Sequence, residues 1–251
     1  MASSTEERQR GGVATGLVEY QMRFREIVSR AARGAAEVPV APRPFGPFLA
    51  ISREAGSGGA EVARRVGERL GWPVLDRELV NGLAEDLKLE PRVLELMDET
   101  RSNWFSETLL NLLNSRLVLQ HSYVDLVGKV MALAASAGPV VVVGRGSNLI
   151  LPPDCGLRVR IIAPREARIA ATAHTEGLEE RAAAKRVDEI DGNRQDFIRR
   201  HFKVDAADPT LYDLVVNTGT FGIAGSVELV VRSLELRCLS NDCVSSQPSA
   251  G

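Results

Sequence analysis

Short apolar runs alternate with amphipathic patterns over most of the chain. Five runs predict β-strands, at residues 48–52, 73–75, 140–143, 158–162 and 213–217. The segments between them carry apolar residues three and four positions apart, as amphipathic helices do. The segment from 77 to 137 is long enough for several helices. This alternation predicts an α/β fold of three layers, with a five-stranded parallel sheet between helices.

The two ends of the chain differ from this central pattern. Apolar residues between Leu17 and Ala31 alternate spacings of three and four, which predicts an amphipathic helix ahead of a proline-rich linker. This helix either packs on its own domain or contacts a partner, and the pattern fits both. The predicted organisation is a disordered N-terminus, helix and linker (1–46), one domain (47–236) and a disordered polar tail (237–251).

Charge and cysteine content limit the classes of partner. The net charge of -2 and pI near 6.0 provide no general attraction to nucleic acid or to anionic membranes. The three cysteines lack metal-ligand spacing, and an odd number without a disulfide framework suits a reducing compartment. The longest apolar run, residues 139–143, is too short to cross a bilayer. We therefore expect a cytoplasmic protein without nucleic-acid or membrane partners.

A glycine-rich loop follows the first predicted strand. Gly56, Ser57, Gly58 and Gly59 lie between that strand and an amphipathic helix, so their backbone N–H groups can converge on a phosphate. An ordinary strand-to-helix turn is the alternative reading. The common phosphate-loop pattern places lysine and a hydroxyl residue where this chain has Gly59 and Ala60. Arg53 is the cation at the start of the loop, and we expect it to replace the missing lysine.

Other charged residues follow the ends of predicted strands, where ligands of parallel α/β sheets bind. Arg145 stands between glycines after the third strand and is a candidate for binding a phosphate group. Asp76 follows the second strand, and it fits a sugar ligand, a magnesium-bound water or a helix cap. Asp191 and Arg194 share one face of a charged helix, which is either a solvated surface or part of a lid.

Several motifs occur together in a fixed order. Ser-Arg-x-x-Gly-Ser-Gly-Gly occupies residues 52–59, Leu-Asp follows at 75–76, and Gly-Arg-Gly at 144–146. The run Asp-Pro-x-x-Tyr-Asp-Leu-Val-x-Asn-Thr fills 208–218. With these motifs, about residues 47–236 resemble the cytidylate kinase-like family, a branch of the nucleoside monophosphate kinase-like proteins without the loop lysine. The resemblance implies a P-loop kinase-like fold with a helical insert and a helical lid.

The resemblance also implies a function and roles for residues. It implies phosphoryl transfer from ATP-Mg²⁺ to a nucleoside monophosphate such as CMP, and it identifies no metal ligand. The alternatives are a catalytically inactive nucleotide-binding regulatory protein and a kinase for a different small-molecule acceptor. The implied roles are catalysis for Arg53, Arg186 and Arg194, donor phosphate binding for Gly56, Ser57, Gly58 and Gly59, and acceptor binding for Arg145 and Asp76.

Overall fold

The computed structural model describes most of the predicted domain. It covers residues 22, 47–88, 127–128, 130–131, 134–135, 138–151, 153 and 156–240, with only the backbone for 83–88 and 238–240. The predicted N-terminal helix, most of the helical insert and the end of the tail lie outside the described residues. The last helix continues to Ser240, past the predicted domain end at residue 236.

Five strands form one parallel sheet, as predicted. They are β1 (Phe48–Arg53), β2 (Val74–Leu75), β3 (Val140–Val143), β4 (Gly156–Ile162) and β5 (Leu214–Asn217). Their order across the sheet is β2-β3-β1-β4-β5, and each neighbouring pair is parallel. The chain leaves β1 in one direction toward β2 and later crosses over to β4 on the other side. β1 is therefore the point where the winding reverses, and a ligand crevice is expected at its carboxyl end.

Helices connect the strands. They are α1 (Gly59–Leu70), α2 (Arg77–Lys88), α3 (Ser147–Ile150), α4 (Arg165–Glu176), α5 (Glu180–Phe202) and α6 (Thr218–Ser240), and α6 is interrupted at Gly222. A single 3-10 turn, Pro209–Leu211, precedes β5. Helices α1 and α6 pack together on one face of the sheet, whereas α4 and α5 pack against each other as the helical lid. None of the described helices is long and apolar enough to cross a membrane.

The core explains why β1 and β3 read as continuous apolar runs. Leu49 and Ile51 of β1 point into a cluster with apolar residues of α1 and α6. Phe48 and Ala50 lie on the opposite face of the same strand and are also fully buried. Both faces of a central parallel strand are thus covered, which removes the polar alternation seen in half-exposed strands. The carboxyl end of β1 is fixed at the centre of this packed scaffold.

Candidate functional site

The glycine loop after β1 forms a cradle of backbone N–H groups. Gly56 and Gly58 have positive φ angles of 72° and 74°. A Cβ atom at Gly56 would lie 2.3 Å from the carbonyl oxygen of Arg168, so that position requires glycine. No described residue accepts a hydrogen bond from the amides of residues 58–61 at the start of α1. These amides and the helix dipole suit a phosphate group.

Ser57 shapes this loop with its side chain. It is 2% exposed, and its hydroxyl donates to the carbonyl oxygen of Glu54 at 2.9 Å. The Thr218 hydroxyl, at the start of α6, donates to the Ser57 carbonyl oxygen at 2.8 Å. It also lies 3.2 Å from the carbonyl oxygen of Ile162 at the end of β4. The Ser57 hydroxyl is therefore already used inside the loop, and Thr218 ties the loop to two other strand ends.

Arg53 lies across two glycines at the carboxyl edge of the sheet. A Cβ atom at Gly59 would be 2.5 Å from the Cβ of Arg53, and one at Gly144 would be 2.5 Å from its Nη1. The side chain thus runs from the glycine loop to the turn after β3. Because it occupies the space beside residue 59, a lysine at that position is sterically incompatible with this arginine.

Three arginines converge at this point. Burial is the main cause that lowers the pKa of Arg53 to about 10; the charge of Arg194 lowers it further, Asp76 opposes the shift, and Arg145 adds to it. Burial also lowers the pKa of Arg194, and Asp191 partly offsets this effect. Concentrated positive charge of this kind favours a bound anion, which would relieve the repulsion.

Arg145 is held in an unusual backbone conformation. Its φ is 58°, and it stands between Gly144 and Gly146, which also have positive φ. A left-handed non-glycine residue costs on the order of 1–2 kcal/mol. The guanidinium carbon lies 5.7 Å from the centre of the Phe197 ring of α5, at cation–π distance. A Cβ at Gly146 would lie 2.6 Å from the ring of Phe202, so the lid also closes over this turn.

The lid helix α5 contacts the glycine loop directly. The amide of Ala55 donates to Asp191 Oδ1 at 2.7 Å, and Arg194 Nη1 donates to the carbonyl oxygen of Arg53 at 3.1 Å. Arg168 of α4 holds the other oxygen of Asp191 at 2.5 Å and lies 3.3 Å from the carbonyl oxygen of Ala55. The charged face of α5 is therefore part of the site, as the lid interpretation of the sequence proposed.

A cavity of about 800 Å³ lies between the sheet edge and α5. Its charged lining residues are six arginines and two acids. The arginines are Arg53, Arg77, Arg145, Arg160, Arg186 and Arg194, and the acids are Glu54 and Asp191. Both acids have arginine partners, since Glu54 lies 3.6 Å from Arg160 and Asp191 is bound by Arg168. The cavity therefore has an excess of positive charge and is suited to a ligand with more than one negative charge.

Two predicted site residues have other partners in the structure. Asp76 Oδ1 accepts from the amides of Glu78 and Leu79 at 3.0 and 2.9 Å, so it caps α2, one of its three predicted roles. Arg186 lines the cavity, but its Nε donates to Glu176 at 3.2 Å. The loop glycines 56, 58 and 59 lie beside the cavity and are not among its lining residues.

The described residues contain no group of three acidic, histidine or cysteine side chains that could hold a metal. Glu61, beside the loop, binds Arg64 and Arg65 on the surface of α1. The hydrogen bond from Arg64 is the main cause that lowers the pKa of Glu61 to about 2. Glu61 is therefore engaged on the surface of α1 and does not face the loop as a free carboxylate.

The motif at 208–218 proves to be a structural unit. Asp208 caps the 3-10 turn, and the Tyr212 hydroxyl donates to the carbonyl oxygen of Ala206 at 2.8 Å. Asp213 accepts two hydrogen bonds from the side chain of Arg158. Arg160 also binds the Ala206 carbonyl oxygen, at 2.7 Å, and thereby joins this segment to the cavity wall. The motif thus fixes residues 203–213, the segment that leads from α5 to β5.

Sequence reasoning did not identify Asn148, Arg160, Arg168 and Phe197 as parts of the site. Phe197 lies three positions beyond Arg194 on α5, and Asn148 lies three positions beyond Arg145. The helical spacing from Arg194 was therefore a usable signal for Phe197. No sequence signal distinguishes Arg160 and Arg168 from other arginines, because their partners belong to distant segments.

Comparisons with known proteins find similarities of sequence and of fold. The curated cytidylate kinase of Archaeoglobus fulgidus is 24% identical over 210 residues, 77% of this chain and 98% of that protein. A uronate isomerase of Corynebacterium glutamicum is 33% identical over 94 residues, 37% of this chain, which spans only 18% of that protein. A solved structure of an uncharacterised protein from Eubacterium ventriosum has a TM-score of 0.63 at 20% identity, covering 76% of this chain and 98% of that chain.

The family comparison covers more than half of the chain. The pattern that defines the cytidylate kinase-like family matches residues 48–220, from the first residue of β1 to the start of α6. This range contains the glycine loop, the Gly-Arg-Gly turn and the lid. The sheet order, the loop and the lid correspond to a P-loop kinase-like fold, as the motifs implied. The chain belongs to the cytidylate kinase-like family.

Proposed function

We propose that the protein transfers a phosphoryl group from ATP-Mg²⁺ to a nucleoside monophosphate such as CMP. The observation that carries this proposal is the convergence of Arg53, Arg145 and Arg194 beside the unpartnered amides of residues 58–61. The backbone amides suit the phosphates of ATP. The arginines suit the phosphate of the acceptor on the other side of the crevice. Membership of a kinase-like family supports the same reaction class.

Each arginine has a distinct part in this proposal. Arg53 lies between the glycine loop and the Gly-Arg-Gly turn, so its planar fork would contact the phosphoryl group in transfer and replace the loop lysine. Arg145 would hold the acceptor phosphate. Arg194, together with Arg186 once it leaves Glu176, would neutralise charge that develops in the transition state. The apolar side of the cavity at Phe197 would exclude water.

The transfer itself needs little from the protein beyond position and charge. An oxygen of the acceptor phosphate attacks the terminal phosphorus of ATP, and the bond to the bridging oxygen breaks. The electron pair of that bond leaves with ADP, and CMP becomes CDP. A phosphate monoester has its second pKa near about 6, so the attacking oxygen is largely ionised at neutral pH and no protein base is required.

The residues present fit the phosphates of the donor better than they fit a protein-held metal. The loop amides are unoccupied donors, whereas Glu54 and Glu61 are engaged by arginines. Mg²⁺ commonly binds to substrate phosphates and keeps several waters, so it would arrive with ATP. When bound, it supplies charge neutralisation at the phosphates.

A coupled assay for ADP production tests the proposal. ATP and GTP serve as donors, and CMP, UMP, AMP and GMP serve as acceptors, with shikimate as a non-nucleotide acceptor. We expect turnover with at least one nucleoside monophosphate and its loss in Arg53→Met. ATP binding without turnover for any acceptor would contradict the proposal.

The absence of a loop lysine and of a hydroxyl at Ala60 favours a second candidate, a regulatory protein that binds nucleotide without catalysis. Such a protein would bind ATP-Mg²⁺ at the same loop amides. It would show no ADP production in the assay above. Turnover of shikimate alone would instead favour a kinase with a different small-molecule acceptor.

A further inference from the structure

Asn148 is a buried polar residue in the wall of the cavity. It is 7% exposed, and it lies in the short helix α3 that follows the Gly-Arg-Gly turn. Its side-chain amide makes no hydrogen bond to any residue in the described part of the chain, including the arginines around it. Its amide atoms are not among the fully enclosed unpartnered atoms of the described residues, so the amide opens to the cavity, where a ligand can hydrogen-bond it.

The position of Asn148 relates it to Arg145. Both residues belong to one short turn, in which Gly144, Arg145 and Gly146 have positive φ. The amide of Ile150 donates to the carbonyl oxygen of Gly146 at 3.0 Å, which fixes α3 directly against this turn. A ligand whose phosphate is bound by Arg145 therefore has its adjoining atoms within the part of the cavity that Asn148 lines.

We propose that Asn148 is a specificity-determining residue that hydrogen-bonds an uncharged polar group of the acceptor next to its phosphate. This inference rests on the proposed function, because it takes Arg145 as the ligand of the acceptor phosphate. The carboxamide offers two donors and one acceptor oxygen but no charge. In a cavity with six arginines, an additional anionic group would not need a neutral partner.

The chemistry of the side chain defines the class of ligand. A hydroxyl group of a sugar and an amide-like edge of a base both offer a donor and an acceptor to a carboxamide. Both are features of a nucleotide, and neither is present in inorganic phosphate. The acceptor class is therefore a phosphate ester with a neutral hydrogen-bonding group close to its phosphate.

The leucine variant separates a binding role from a packing role. Asn148→Leu keeps the branched shape of the side chain, although it is larger, and replaces the amide with methyl groups. For a ligand-binding residue whose amide has no partner in the described part of the chain, we expect the thermal midpoint of the ligand-free protein not to fall in this variant. A side chain needed for the fold would instead lower the midpoint in both Asn148→Leu and Asn148→Ala.

Calorimetry with four probes tests the proposal: CMP, dCMP, ribose 5-phosphate and inorganic phosphate. We expect Asn148→Ala to weaken binding of CMP by about three- to tenfold and to leave inorganic phosphate unchanged, since one neutral hydrogen bond is lost. A similar loss with ribose 5-phosphate identifies a sugar hydroxyl, and a loss with CMP and dCMP alone identifies the base edge. Arg145→Ala, the matched control, is expected to weaken all four probes.

The outcomes distinguish this inference from the proposed function. Wild-type binding of CMP with no turnover of any acceptor in the panel, together with weaker CMP binding by Asn148→Ala, would refute the kinase and support the role of Asn148. Unchanged binding of all probes by Asn148→Ala, with loss in Arg145→Ala, would overturn the inference alone. Equal losses for CMP and inorganic phosphate would also overturn it, and no binding of any probe by the wild type would overturn both.

Discussion

The side chain of Arg53 fills the space that a side chain at residue 59 would need. A Cβ atom at Gly59 would lie 2.5 Å from the Cβ of Arg53 and 3.1 Å from its Cγ. The same arginine reaches Gly144 at the end of β3. A side chain at residue 59 and the side chain at residue 53 are therefore alternatives in one volume, so a loop lysine at 59 does not fit beside Arg53 in this backbone arrangement.

The first prediction tests this exclusion by stability. We expect Gly59→Ala to lower the free energy of unfolding by about 1–3 kcal/mol, because the new methyl group meets the backbone-proximal atoms of Arg53. In an Arg53→Gly background, which lacks the Cβ and Cγ atoms that the new methyl group meets, the same change should cost much less, so that a double-mutant cycle in urea shows coupling. Gly82→Ala, in α2 with open space around it, is the control and should not destabilise. Additive effects at 53 and 59 would contradict the steric account.

The second prediction concerns the charge of Arg53. We expect Arg53→Met to reduce phosphoryl transfer by about a hundredfold or more, as when one preorganised donor is removed. The thermal midpoint of the ligand-free protein should not fall, because Arg145 and Arg194 then face less repulsion. Steady-state kinetics and a thermal melt measure the two effects. Arg165→Met removes an exposed arginine paired with Asp188 and is the matched control.

If Arg53→Met were as active as the wild type, the hypothesis that Arg53 replaces the loop lysine would be wrong. A large fall in the midpoint would show instead that the arginine stem is needed for packing.

The third prediction separates the two halves of the site. We expect Arg145→Ala to weaken binding of the acceptor by about 1.5–3 kcal/mol, which is roughly ten- to a hundredfold, and to change ATP binding little. Separate calorimetric titrations of ATP and CMP measure both affinities. Arg145→Gly is the second variant, since glycine accepts the φ of 58° without strain. Equal losses for both ligands would mean that Arg145 serves the donor.

The fourth prediction concerns acid stability at the edge of the sheet. Burial alone would raise the pKa of Asp213, but hydrogen bonds from the side chain and backbone of Arg158 lower it overall. A carboxyl group with a lowered folded-state pKa stabilises the protein above its unfolded pKa of about 3.9 and loses that contribution as the pH falls through the folded value. We expect Asp213→Asn to be less stable than the wild type by about 1 kcal/mol at pH 7, since the pair is partly exposed.

This difference in stability should shrink as the pH falls below about 4, where the wild-type carboxyl group takes up its proton. Urea unfolding at several pH values measures it. Asp188→Asn is the control: it removes the exposed ion pair between Asp188 of α5 and Arg165 of α4 and should change stability little. A constant difference down to pH 2 would contradict the assignment.

The strands could be predicted because burial on both faces produces plain apolar runs. β1 and β3 are such runs, and their predicted positions agree closely with the structure. β4 begins at Gly156, two positions before its predicted start at residue 158. Its exposed-side positions carry Arg158 and Arg160, and their partners lie far away in the sequence. A pattern of polar and apolar positions contains no information on such partners.

The site could be predicted only as separate residues. Motifs identified Arg53, Arg145 and Arg194 one at a time, and the order of the sheet placed them at one edge. That Arg53 excludes a side chain at Gly59 depends on the path of its side chain, which sequence does not determine. The roles of these arginines in binding and catalysis stay predictions until the variants are measured.

The hydrogen bond between Ala55 and Asp191 allows the contact between the loop and α5 to be followed in the ligand-free protein. The amide proton of Ala55 is held by a carboxylate of the lid, and the residue is only 4% exposed. Exchange of that proton with solvent deuterium requires this hydrogen bond to open, so its rate reports the free energy of separating the loop from α5 at this contact. Amide exchange at Ala55, measured with and without nucleotide, thereby gives an equilibrium constant for opening of this contact and for access to the site.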